Sequence, residues 1–419
     1  MSQAHVPQEI ESYILPNGLT LVAERMDWVE SAAFTLLLPA GCGYDPPERA
    51  GLANLVCEMV QRGAGDKDSR AYVEALDRLG VDRSASVSQS HTSFAAAMLA
   101  ENLQPTLAMY ADLLRCPHLP EDQLDDSKQV CYQEIQAFED DLAQRTMQRL
   151  RHQSYGEPWG RSPHGERETV AAVSLDDVHT FVTNSYLPER VILSVAGNFR
   201  WSELRNYVTE IFGDWPTRAR SPLAESPPSG GYWHIEHESS QTHIGVSYPS
   251  VPYRHPDYFQ ARGAVGVLSD GMSSRLFTEV RERRGLCYTV FASYHSLPER
   301  GRVMCYAGTS TDRAQETLDV MVAELRKIAE GIDPDELRRL QARVKSALIM
   351  QQESSTARSG AMAGDWYHLG RVRTMDEIRR TINGLSCDSI NRYLAEHPPD
   401  DFVVVTLGAE PLEVKLAVS

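Results

Sequence analysis

The sequence predicts an α+β fold in which one unit of mixed strands and helices is used twice, and three observations carry that expectation. Landmarks recur at a steady offset. Ser174, Leu175, Asp176, Asp177 and Val178, followed by Phe181, match Ser386, Cys387, Asp388, Ser389 and Ile390, followed by Tyr393, 212 residues later. Each set reads as a Ser-capped helix start. Each leads into an apolar, β-rich run closed by glycine, Val191 to Gly197 and Phe402 to Gly408, at an offset of 211. A third pair, ending at Leu124 and Leu337, is offset by 213. The second observation is a Pro-, Ser- and Gly-rich stretch without apolar period between Trp215 and Gly231, near the middle of the chain, where a duplication would place its linker. The third is that strand and helix blocks mix without strict alternation, which favours sandwiches over a doubly wound sheet. The expected organisation is therefore a first domain over 1–215, a linker over 216–231 and a second domain over 232–419.

Individual elements follow from local pattern. Tyr13 to Glu24 reads as a hairpin turning at Asn17-Gly18, and Ser31 to Leu38 as a further apolar strand. Leu337, Leu340, Val344, Ala347 and Leu348 keep the spacing of a buried helical face.

With 419 residues, 42% hydrophobic and 24% charged, the chain can build more than one core. A net charge of −17, with no basic block to override it, excludes nucleic acid as a partner and disfavours an anionic membrane surface. The N-terminal residues show neither a basic start nor an apolar stretch, and no run long enough to span a bilayer follows, so the expectation is a cytoplasmic protein. Seven scattered cysteines without a C-x-x-C pair read as reduced, mostly buried thiols.

The most informative segment runs from Arg49 to Gly63 (RAGLANLVCEMVQRG). It resembles the active-site helix of the pitrilysin/insulinase family, whose pattern is G-L-A-H-x-x-E-H-M-x-x-x-G. In that pattern two imidazoles one helical turn apart bind zinc, and the glutamate between them acts on the metal-bound water. Asn54, Cys57 and Glu58 occupy those three positions. The resemblance implies a third ligand on a later helix, and Glu134, 76 residues beyond Glu58, stands at the matching distance. What remains of the ligand set is an amide and two carboxylates, a group suited to weak Ca²⁺ or Mg²⁺ binding and not to catalytic zinc. Without the resemblance, Asn54 and Glu58 read as polar residues on a partly solvated helix face, Cys57 as a packed thiol and Glu134 as a solvated residue. No H-E-x-x-H or H-x-x-E-H occurs elsewhere, and His234 and His237 fall on opposite faces of an expected strand.

In the second half, the segment from Ser273 to Val290 resembles the family pattern S-R-L-x-x-x-x-R-x-x-x-x-L-x-Y. The resemblance implies that Arg281 and Tyr288 bind the peptide backbone and stabilise the developing oxyanion, a task for a guanidinium fork and a directed phenol. Without the resemblance, the same residues read as a charged helix end followed by a core tyrosine. Gly80 to Ser88 resembles the family's edge strand, to which substrate peptides add; a plain surface strand reads the same way.

Family-like landmarks in both halves imply two homologous α/β sandwich domains forming half of a clamshell. A degenerate zinc helix with a retained Arg/Tyr segment resembles the non-catalytic partner of heterodimeric bacterial members. The implied function is a peptide-binding subunit without zinc or other cofactor of its own, inactive alone, that supplies Arg281 and Tyr288 to a zinc-bearing paralogue. The other function left open is a structural or peptide-binding pseudo-peptidase, and self-association remains an alternative to the heterodimer.

Overall fold

The structure, a computed structural model, describes residues 8–415 apart from 220–222 and 224. Part of the expected linker and the first seven residues of the N-terminal stretch therefore lie outside the described residues. In chain order the strands are β1 (Glu9–Ile14), β2 (Thr20–Arg25), β3 (Ser31–Leu38), β4 (Asp82–Val87), β5 (Thr92–Leu99), β6 (Ile192–Gly197), β7 (Tyr232–Glu236), β8 (Gln241–Ser250), β9 (Cys287–Ser296), β10 (Gly301–Ser310) and β11 (Val403–Gly408). The principal helices are α1 (Leu52–Met59), α2 (Ser69–Arg78), α3 (Leu103–Arg115), α4 (Leu124–Asp140), α5 (Leu142–Tyr155), α6 (Leu175–Ser185), α7 (Trp201–Phe212), α8 (Tyr258–Ser269), α9 (Ala314–Lys327), α10 (Pro334–Gln352), α11 (Ser355–Leu369), α12 (Met375–Gly384) and α13 (Cys387–Glu396).

Two sheets share one topology. The first has the order β1-β2-β6-β3-β5-β4 and the second β9-β10-β8-β11-β7. Apart from the added β1, strand matches strand: β2 and β6 are parallel, as are β7 and β11, and the remaining neighbours are antiparallel. The repeated sequence landmarks fall on equivalent elements. Ser174 caps α6 and Ser386 caps α13, each hydroxyl accepting from the third backbone N–H of its helix at 3.1 Å, and the helices feed β6 and β11. The hairpin turns where Asn17-Gly18 predicts it, with Gly18 at φ +88° and Ile14 paired to Thr20.

The compact units do not follow the two sequence halves. The first unit runs through residue 136 and takes in 161–225 and 349–374; the second holds 137–160, 226–348 and the residues from 375 onward. Each half thus lends one helix to the other unit: α5 packs on β8 and β11 in the second, and α11 on β3 and β6 in the first. The physical reason lies in the central strands. All of β6 and β11 is buried, as is nearly all of β2, so both faces of each sheet need cover.

Alternation along the strands separates the two faces. In the first unit, Leu21, Ala23, Phe34, Leu36, Leu193 and Val195 join the main core with α1, α3 and α7. Their neighbours Val22 and Ala196 meet Met362 of α11 on the opposite face. The second unit repeats the pattern, with Ile244, Val246 and Cys305 in its main core and Val403 and Val405 against Leu150 of α5.

The cover helices meet their sheets through polar and small residues. Thr35 Oγ1 and Ser359 Oγ lie 3.0 Å apart, and Ser154 Oγ and Ser247 Oγ 2.6 Å apart. Glu24 of β2 and Arg358 of α11 form an ion pair in which each residue is only 2% exposed. Arg358 Nε donates to Glu24 Oε2 at 2.9 Å, its Nη2 donates to the same oxygen, and Gln8 Nε2 donates to Oε1 at 2.8 Å. The carboxylate is thus bonded at both oxygens, the condition under which a buried pair survives its desolvation cost. Arg358→Met should cost about 3–5 kcal/mol by stranding a buried Glu24 charge, whereas Glu24→Met combined with Arg358→Met should recover most of that loss. Equilibrium urea denaturation followed by tryptophan fluorescence measures both.

Candidate functional site

Helix α1 is preceded by Gly51, whose φ of +92° favours glycine. The Asp45 carboxylate accepts from the backbone N–H of Gly51 and of Ala53, both at 2.9 Å, and so satisfies donors that the helix cannot. Burial pushes that carboxyl up to about 7 against the pull of these donors. A second glycine meets the same helix start. A Cβ on Gly165 would lie 2.1 Å from the Ala50 carbonyl oxygen, and one on Gly51 would lie 2.7 Å from the carbonyl oxygen of His164. The two glycines let the segment around His164 run against α1.

That approach gathers a polar cluster. Asn54 Nδ2 donates to Glu134 Oε2 at 2.6 Å, so the residue picked out by spacing on α4 faces α1. His164 Nδ1 lies 3.9 Å from the same carboxylate oxygen, and burial holds its imidazole below its ordinary value in spite of Glu134. Glu58 turns to Arg62 one helical turn on, with an N···O distance of 3.0 Å. Cys57 and Cys131 are buried beside the cluster, and burial together with the nearby carboxylates pushes both thiols up to about 12. A thiol held there is protonated at neutral pH and is no nucleophile. His164 is the residue that sequence reasoning missed. It stands 110 positions from Asn54, and its place is set by loop packing; the only local signals are the two glycines.

The cluster is a poor fit for zinc. Positions 54 and 58 offer an amide and an already paired carboxylate in place of two imidazoles. Among the described residues, the one His/Cys/Asp/Glu trio whose donor atoms lie within 4.8 Å of one another is Asp257, Glu396 and His397 in the second unit, and not this group. His234, on β7, shares a hydrogen bond of 2.9 Å with Thr406 Oγ1.

The Arg/Tyr segment of the second unit is built from two irregular elements. Phe277 to Arg283 form a π-helix, a form often tied to function. Arg281 lies on it, exposed, its guanidinium carbon 4.8 Å from the centre of the Phe277 ring and without an ion pair among the described residues. Strand β9 then carries a bulge: Cys287 pairs with Thr309 and Thr289 with Gly308, which leaves Tyr288 as the extra residue. Tyr288 is 89% exposed. Arg275, by contrast, is structural, since its fork grips Glu336 at 2.7 and 2.8 Å.

The model of the insulinase family, peptidase family M16, matches residues 21–162, and that of the peptidase M16 inactive domain matches 172–344. The chain belongs to the insulinase (M16) peptidase family. Its M16 relatives include the uncharacterized zinc protease YmxG of Bacillus subtilis, 27% identical over 95% of this chain and 98% of the relative. An uncharacterized zinc protease of Rickettsia felis is 24% identical over 90% and 92%. The M16 fold recurs in the crystal structure of a peptidase M16 inactive domain from Pseudomonas fluorescens, with a TM-score of 0.88 and 20% identity over 98% of this chain and all of that one. A protease from Helicobacter pylori gives the same TM-score at 19% identity, over 96% of this chain and 99% of its own.

Two outcomes test this M16 site. Asn54→His, Cys57→Glu and Glu58→His together should create tight, equimolar zinc binding by atomic absorption after dialysis, and Glu134→Ala should remove it again. In the unaltered chain, Cys57 should stay unmodified by iodoacetamide from pH 7 to 9 while exposed Cys116 reacts, as peptide mass mapping would record.

Proposed function

We propose that this chain is the non-catalytic subunit of a heteromeric zinc metallopeptidase. In this reading it binds peptide and supplies Arg281 and Tyr288 to the active site of a zinc-bearing paralogue. The observation that carries the reading is the contrast between the two units. Helix α1 keeps the family's scaffold without its imidazoles, whereas the π-helix and the bulge of β9 present an exposed guanidinium and a phenol to solvent. A tyrosine exposed to 89% and an arginine whose charge meets no carboxylate among the described residues are little used by the packing of the unit, which favours a partner or substrate as the group they serve. Chemically, the arginine fork holds a peptide carbonyl and the phenol donates to the oxygen that gains charge as the bond is attacked. The chain alone should be without peptidase activity.

The measurement is kcat/KM of the reconstituted heterodimer on a quenched fluorescent peptide, alongside its dissociation constant. Tyr288→Phe removes one hydroxyl and should lower kcat/KM about 10² to 10³-fold with assembly unchanged. Arg281→Lys keeps the charge, loses the fork and should also be slow. Full activity of both variants would leave the chain a structural or peptide-binding pseudo-peptidase instead.

A further inference from the structure

At the outer end of the first sheet, β4 has a neighbour on one side only, β5. Its other side is an open row of backbone donors and acceptors, a template for an added strand. Side chains alternate along it: Asp82, Ser84 and Ser86 are exposed, and Arg83, Ala85 and Val87 are half-buried on the side that meets the helices. A cavity of about 540 Å³ opens at this rim, between β4, α1 and α2, and is lined by Glu58, Arg62, Ser69, Val73 and Arg83 among others.

The charges in this notch do not cancel. Glu58 is matched by Arg62 at 3.0 Å. Nearby Glu74 on α2 is held by Arg70 and Arg78 at 2.8 and 3.3 Å. Arg83 has no ion pair and no hydrogen bond among the described residues. In a chain of net charge −17, where carboxylates outnumber cations, a half-buried guanidinium without a carboxylate marks a place reserved for one from outside.

A peptide that adds to β4 lies in the plane of the sheet, so every second side chain points to the helix side and over this cavity. We propose that the notch is a subsite for an aspartate or glutamate side chain of an extended peptide paired to β4, and that Arg83 sets this preference. The subsite rests on the peptide-binding part of the function proposed above. It also accounts for the cavity's position beside an α1 that holds no zinc ligands: the first unit retains and orders an acidic peptide and performs no chemistry on it.

Fluorescence anisotropy of the full chain at low salt is the test. The probes are fluorescein-labelled octapeptides of alternating Val and Ser in which a single Glu, or a single Gln, is moved through every position. For the unaltered chain, at least one position should favour Glu over Gln by about tenfold, and added salt should erode that preference. Arg83→Gln should bring the two peptides to equal affinity, and Arg83→Glu should reverse the order, favouring Gln over Glu at the same position. A preference for Glu that survives in Arg83→Gln, or binding with no preference at any position, would overturn the subsite and leave peptide binding standing. Absence of binding by every peptide would overturn the peptide-binding reading and the subsite with it.

Discussion

A strand that is buried along its whole length must be covered on both faces, and this requirement organises both units. The helices that follow each sheet's own strands cover one face with a large apolar core. The other face takes a single helix from the opposite half of the sequence, α11 in one unit and α5 in the other. These second contacts are small and partly polar, which sets their register. Thr35 with Ser359, Ser154 with Ser247, and the Glu24–Arg358 pair each accept only one alignment of helix on sheet, whereas an all-leucine seam would tolerate several. On the face of the second sheet, Gly245 makes room for the Leu150 side chain of α5: a Cβ there would stand 3.2 Å from its Cδ2.

The same division of labour bears on the site. The apolar side of α1 belongs to the main core, with Leu52, Leu55, Val56 and Met59 all buried, so its place is held whatever stands at positions 54 and 58. The two positions that would carry imidazoles could therefore change without loss of the helix. Glu134 keeps its place because α4 packs Cys131 and Ile135 into the main core, and His164 because Gly51 and Gly165 let its loop run against the helix start. Asn54 and Glu58 leave this helix without imidazoles at those positions, while the packing that fixes its place is intact.

Much of the repeat was legible because its signals are local. A serine that caps a helix, an Asn-Gly turn and a strand ended by glycine are read from a few residues each, and Ser174, Ser386, Gly18, Gly197 and Gly408 sit where such reading puts them. The exchange of α5 and α11 was not legible. Amphipathic pattern says that a helix is buried, and nothing in it says against which of two similar sheets. In the site, motif spacing picks out Asn54 and Glu134, which a 2.6 Å hydrogen bond joins, and Glu58, which pairs with Arg62 instead. His164 could not, because it comes close through the packing of Gly51 against Gly165 rather than through any period. Arg281 and Tyr288 were legible as a spacing, but the π-helix and the bulge that expose them leave no mark in the pattern of apolar residues.

The traded helices also say something about origins. A single repeat, folded alone with this topology, would hold out a helix with no sheet beneath it and leave the Val22, Glu24 and Ala196 face of its own sheet to water. Two copies of such a repeat could meet the requirement by swapping helices, as a symmetric dimer. Joining them in one reading frame turns that encounter into an intramolecular one at high effective concentration, and frees each copy to diverge. The two copies now differ in what they carry: Asn54 and Glu58 on α1 in the first, Arg281 and Tyr288 on the π-helix and β9 in the second.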